Sequence, residues 1–206
     1  MEHLNQLFGK KPVKKGTITE LAELANLRIL EKDISDNNYW TLIEDSLTLT
    51  KNQYEQENYL IEALIKFNPE EIIGFHLKTI HFINQLTDIK ISCASFIING
   101  NDLTETVEHF RYWILSRGKT VYDTALIDAD YLISEISPET NFYDFEGFKR
   151  IASKAFKNLT EQEIADYIDS KKLKTAPSLN DAIRWDENDP ETLQKHCPNL
   201  FATLWK

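Results

Sequence analysis

Glycine, proline and cysteine are all scarce in this chain. Six glycines and six prolines among 206 residues are too few for the many tight reversals of a β-sandwich or barrel. Two cysteines, Cys93 and Cys197, supply neither a disulfide framework nor a cysteine quartet for zinc. A reducing cytoplasm is the simplest home for them as packed thiols. No stretch approaches the roughly 20 apolar residues that span a membrane. The longest uncharged run, residues 91–100 (ISCASFIING), reads as a buried helix. The first residues, MEHLNQLFGKKPVKKG, have neither the apolar core nor the small-residue cleavage site of a signal peptide. An intracellular, soluble, cytoplasmic protein is expected. Alternating strand patterns longer than about four residues are absent, against a usual strand of about five or six. So are a P-loop, a dinucleotide-binding glycine fingerprint and a GxSxG elbow.

What is present is helical. Hydrophobic residues make up 42% and charged ones 27%, ordinary values for a globular protein. Residues 1–16, with the KKPVKK cluster, read as a flexible basic tail. Residues 17–206 read as one all-α domain, a multi-helix bundle. The net charge is −10, and four lysines against one glutamate in the tail leave 19 basic and 32 acidic residues elsewhere, a balance of −13. Such a body repels phosphate backbones, which disfavours nucleic acid, and suits a basic protein partner.

Local signals place the helices. Thr17 to Leu30 has helical composition. Asp36 or Asn37 can cap a helix through Trp40, Ile43 and Leu47. Tyr54 to Phe67 continues with Ile61, Leu64 and Ile65 inward. Asn68-Pro69-Glu70-Glu71 combines a cap, a proline at the first helical position and first-turn acids; the helix it starts, to about Asp88, is apolar on several sides and should be central. Lys90 to Ile98 follows, stopped at Asn99-Gly100. Phe142 to Phe156 is expected to be one helix, and Thr160 with Glu163 a capping box for another through Ile168. From Lys171 the pattern dissolves until Asp189-Pro190 opens a short last helix.

The chain is organised around residues 102–131, DLTETVEHFRYWILSRGKTVYDTALIDADY. Leu103, Val107, Phe110 and Ile114 mark one apolar face, Asp102 and Glu105 fit a capping box, and Gly118 suits a left-handed helix stop. Arg111 is flanked by aromatics and is expected beside the apolar face. Arg117 and Lys119 sit where a helix dipole favours cations, able to hold an anion or to pair with Asp128 and Asp130. The two aspartates could converge on a cation, but the simpler reading has Asp128 capping a helix from Ala129, with Asp130 beside its positive end. Trp113, with Tyr112 and Tyr122 at near-helical spacing, reads as core.

Several constellations fail on geometry. His76 and His81 are five residues apart, so at about 100° per residue they diverge by about 140° and share no metal. Cys93 could be imagined with His109 as nucleophile and base, but its apolar context raises a thiol's pKa. Cys197 beside His196 is no better, since chain neighbours seldom face one another. The run from Asp186 to Asp189 lacks the glycine and terminal glutamate of an EF-hand. No catalytic residue, cofactor or metal ligand set is named by this sequence.

Three groups of residues carry a family resemblance: Tyr39-Trp40-Thr41-Leu42-Ile43-Glu44; Phe110 to Gly118 with Val121-Tyr122, Ala125-Leu126, Asp128 and Asp130-Tyr131-Leu132; and Arg184-Trp185-Asp186-Glu187 with Cys197-Pro198-Asn199-Leu200. Over about residues 37–206 the chain resembles the bacterial family called domain of unknown function 4240. One departure is Asp128-Ala129-Asp130, where the family usually reads Asp-Pro-Asp. The resemblance implies a fold and a bacterial source without an activity. The leading expectation is therefore a non-enzymatic acidic protein-binding module, immunity-like towards a basic toxin. The alternative is an enzyme or small-molecule sensor whose pocket lies around Trp113, Arg117 and Asp128. Arg111, Trp113, Arg117, Asp128, Asp130 and Trp185 are the ligand or partner-binding candidates.

Overall fold

The structure, a computed structural model, describes residues 34–100, 104–137, 139–140, 142–168 and 190–205. The basic tail, the expected helix over 17–30, Asp102, and Arg184 with Trp185 lie outside these residues. In chain order the helices are α1 (Asp36–Leu49), α2 (Gln53–Leu64), α3 (Pro69–Gln85), α4 (Ile89–Asn99), α5 (Thr104–Ser116) and α6 (Lys119–Ile127). The 3-10 segments Ala129–Glu135 and Glu146–Arg150 follow, then α7 (Ile151–Thr160), the 3-10 turn Ile164–Tyr167, α8 (Pro190–His196) and α9 (Pro198–Leu204). No strand occurs among the described residues, and the protein is all-α. Contacts gather these elements into two compact units. Among the described residues, one joins 34–80 with 147–168; the other joins the described residues of 81–146 with α8 and α9.

In the first unit α1, α2 and α3 each open on a side-chain cap. Ser35, one residue before the expected Asp36, accepts from the Asn38 amide at 3.1 Å. Asn52 accepts from the Glu55 amide at 2.9 Å. Asn68 and Glu71 form a reciprocal box at 2.9 and 3.1 Å, satisfying two amides that a bare helix start leaves orphaned. Tyr39 joins α1 to α3: its ring lies 4.7 Å from that of Phe75, and its hydroxyl is 3.0 Å from the Thr79 hydroxyl. The buried stripe of α2 is Gln56, Leu60, Ala63 and Leu64, rotated from the expected one because Gln56 turns inward to donate to Ser46 at 3.0 Å. The α7 helix packs on α2 through Ile151, Ala152, Ala155 and Phe156, all buried, with a Lys154–Glu57 ion pair alongside.

Two expectations are corrected here. Residues 142–156 are not one helix: 142–145 are irregular, and Glu146–Arg150 is a 3-10 segment before α7. The amides of Tyr143 and Phe145 are already donating, to the Asn99 side chain at 2.8 Å and to the His109 carbonyl at 3.1 Å, so a helix cannot recruit them. Thr160 does not cap a following helix either. It is the last residue of α7, with its hydroxyl donating to the Phe156 carbonyl at 2.8 Å, and Glu161 turns into the left-handed region at φ 65°.

The second unit is built on α4, whose residues from Ile91 to Ile97 are all buried. A short helix apolar all round belongs inside, and α4 packs against α5, α8, α9 and the 3-10 segment after α6. It ends at Gly100, φ 73°, the left-handed stop expected from the sequence. Gly118 behaves differently from the stop first read into it. At φ 90°, ψ 172° it is the N-cap of α6, an extended positive-φ conformation open essentially to glycine alone. It lets α6 leave α5 after a single intervening turn. Tyr122 then fixes α6, its hydroxyl reaching the Gln85 side-chain oxygen at 2.7 Å and the Phe82 carbonyl at 3.0 Å.

Candidate functional site

Trp185 lies outside the described residues; the other sequence candidates fall in the second unit, where they meet different partners. Trp113 is 5% exposed. It stacks on Phe110, centroids 5.2 Å apart at 24°, and meets the edge of Tyr143 at 5.1 Å and 76°. It is a core residue that fixes the segment after the 3-10 segment Ala129–Glu135. That segment is clamped further: Asn99 holds both backbone groups of Tyr143, and the Tyr143 hydroxyl accepts from the Ser137 amide at 2.7 Å while donating to its carbonyl at 2.8 Å. Nothing in the sequence marked Asn99 as a clamp; it read as part of a helix stop, which it also is.

The two aspartates diverge. Asp128 caps the 3-10 segment Ala129–Glu135, accepting from the Asp130 amide at 3.4 Å, as the capping reading expects. Its carboxylate also takes a hydrogen bond from Lys90 at 3.2 Å, which raises the pKa of that ammonium. Asp130 is buried and faces a helix 69 residues away. Its carboxylate accepts from the Asn199 amide at 2.9 Å, the Leu200 amide at 2.8 Å and the Asn199 side chain at 2.6 Å. These amides open α9, whose own N-cap, Cys197, makes no side-chain cap bond. Asp130 is thus a cap supplied from another element, placed where the helix dipole also favours a negative charge.

The cations are likewise apart. Arg117 pairs with Glu135 at 3.5 Å and Lys119 with Asp123 one turn on, in place of the expected pairing with Asp128 and Asp130. Arg111 is 5% exposed, and its Nε and Nη2 have no hydrogen-bond partner. Burial lowers its pKa, with Glu108 one turn earlier opposing the shift. Ser92 and Ser95, on α4, carry the other unpartnered buried hydroxyls. The neighbouring Tyr112 is pushed well above its usual pKa, chiefly by burial.

The thiols are structural. Cys93 donates to the Leu193 carbonyl at 3.7 Å, and Cys197 to the Lys90 carbonyl at 3.6 Å. Contact with Cys93 and then burial hold the Cys197 thiol far above the reactive range, so a thiolate nucleophile is disfavoured there. Among the described residues no group of three histidines, cysteines or acids is placed to hold a metal. None of their helices is long and apolar enough to cross a membrane. One shallow concavity of about 100 Å³ lies between α6 and the 3-10 segment, lined by Val121, Thr124, Tyr131, Leu132 and Glu135 among others. Arg111, Trp113 and Asp128 do not line it.

These features define an all-α protein in which Trp113 acts as core and Asp128 and Asp130 as caps. The chain belongs to the family described as "Protein of unknown function (DUF4240)", whose model matches residues 34–158. The match ends before Arg184-Trp185-Asp186-Glu187 and Cys197-Pro198-Asn199-Leu200, the C-terminal part of the resemblance. No curated protein and no solved structure matches the chain.

Proposed function

We propose that this protein is a non-enzymatic, acidic protein-binding module that docks a basic partner on the corner between α6 and the segment Ala129–Glu135. One observation carries the reading: Ile127 is 81% exposed and Tyr131 60%, beside the concavity that Tyr131 lines. Thr120, Thr124 and Ile127 recur at spacings of four and three, so they share one stripe of α6. Exposed apolar side chains gathered in one place mark contact surfaces more often than scattered ones do. The concavity is well below the roughly 300 Å³ at which small-molecule pockets begin. It suits a single anchoring side chain of a protein.

Charge supplies the choice of partner. A net charge of −10 steers a basic surface towards the chain. The ion pairs near this face, Lys119–Asp123 and Arg117–Glu135, are solvent-accessible and cost little to exchange for intermolecular ones. The biological form that fits is immunity-like: a small acidic protein that neutralises a basic toxin by covering it. The test is co-purification of the full chain with the product of the neighbouring gene, in wild-type and Ile127→Asp forms. A 1:1 complex with a basic protein, dissociated by salt and weakened about tenfold or more by the substitution, is expected. A complex indifferent to both changes, or no stoichiometric basic partner, overturns the reading.

A further inference from the structure

Among the described residues of the second unit, Arg111 is the charged side chain whose buried polar atoms lack partners. It lies in the middle of α5 and is 95% buried, yet neither Nε nor Nη2 finds an acceptor. A guanidinium is a rigid fork with no way to lose its charge at ordinary pH. Burying it without acceptors is among the most costly arrangements a side chain can adopt. The identity of the two empty nitrogens is informative. The Nε–H and the adjacent Nη2–H point the same way along one edge of the plane, and together they match the two oxygens of a planar oxyanion. The unpartnered atoms thus make up a whole bidentate edge.

Four acids of this unit are engaged with other groups. Asp128 serves the 3-10 cap and Lys90, Asp130 the start of α9, Asp123 Lys119 and Glu135 Arg117. Glu108, one turn earlier on α5, acts on Arg111 through its charge without hydrogen-bonding that edge. Arg117, the residue just after α5, shows the ordinary arrangement, its Nε directed at the Glu135 carboxylate.

We propose that the Nε–Nη2 edge of Arg111 anchors a binding site for a small monocarboxylate. Planarity and two oxygens fit the edge, and a single negative charge neutralises a single guanidinium. A phosphate dianion would leave one charge uncompensated in a buried place, close to Glu108 and within a chain already at −10. Both nitrogens are covered by surrounding side chains, so entry requires these to move and a compact acid is the right first probe. This site is independent of the docking face on α6, and either can fail without the other.

The experiment uses the full chain and sodium acetate, with sodium chloride at equal ionic strength as the reference. The direct readout is the Nε–H resonance of Arg111 in a ¹H–¹⁵N spectrum, assigned by its loss in Arg111→Lys. Arg111→Lys keeps the charge but removes the fork, and Arg111→Met removes both and serves where the lysine form does not fold. Expected is a saturable displacement of the Arg111 Nε–H signal by acetate. A rise in Tm with acetate should accompany it in the wild type and vanish in the variants. An unmoved Arg111 signal, a Tm rise that survives both substitutions, or a response to inorganic phosphate alone overturns the proposal.

Discussion

Removing the carboxylate of Asp130 should undock the C-terminal helix before it unfolds anything else. The side chain is 3% exposed and accepts from two backbone amides and one side-chain amide at the start of α9. Pro198 is already without an N–H, so Asn199 and Leu200 are the amides left to satisfy. Hydrogen bonds to a charged acceptor contribute about 1.5–3 kcal/mol each, and a buried donor left unpaired costs about 1–3 kcal/mol. The Asn199 side chain is exposed and can turn to water, so the Leu200 amide, which is buried, dominates. Relief of the carboxylate's own desolvation offsets part of the loss. Asp130→Ala should therefore cost about 3 kcal/mol, which at about 2–4 °C per kcal/mol for a chain of this size is roughly 6–12 °C in Tm. Asp130→Asn, which keeps one oxygen for the Asn199 and Leu200 amides but loses the charge, should cost less than Asp130→Ala. Urea unfolding followed by circular dichroism gives the total. Hydrogen exchange of the Asn199 and Leu200 amides shows whether the loss is local. Asp123→Ala, which removes only an exposed i, i+4 pair, is the control and should change stability by less than about 0.5 kcal/mol. A loss below about 1 kcal/mol in Asp130→Ala, with unchanged protection of those two amides, would refute the capping account.

Alkaline stability should begin to fall once the pH passes the ordinary tyrosine pKa, because the folded chain keeps two tyrosine protons that the unfolded chain releases. Tyr112 and Tyr122 hold their protons above the usual value, mainly through burial, so above about pH 10 the unfolded chain loses protons first. Stability is then full below pH 10 and falls by about 1.4 kcal/mol per pH unit for each residue; urea midpoints between pH 9 and 11 should show it, and Tyr122→Phe should flatten the slope. Burial lowers the pKa of His76, so the unfolded state takes up that proton first. A stability component present above about pH 6.5 should therefore be lost on acidification, and His76→Gln should remove it from the pH profile of Tm. Gly118→Ala should cost about 1–3 kcal/mol from backbone strain, measured by thermal unfolding. Gly100→Ala, with nothing within 4 Å of the added carbon, should cost about 1–2 kcal/mol from its left-handed φ alone.

The all-α class, the order of the described helices and most of their ends were legible because the physics involved is local. A 3.6-residue apolar period, a proline after a cap residue at Asn68-Pro69 and a glycine after Asn99 act within one or two turns of chain, and the fold leaves them in force. Asp128 as a cap belongs to the same group, since its acceptor and donor are two residues apart. Where local signals were overruled, a distant group had claimed the backbone first. Phe145 donates to the His109 carbonyl, and the α7 helix starts later than its apolar spacing suggests. Gln56 finds Ser46, and the buried stripe of α2 rotates to follow it. Asp130 could not be assigned from its neighbours, because the helix it caps begins 69 residues further on. Nor could the state of Arg111 be read from the sequence. Whether a guanidinium is paired or orphaned depends on which acids the tertiary structure brings within about 3 Å of it, and none reaches the Nε–Nη2 edge of Arg111.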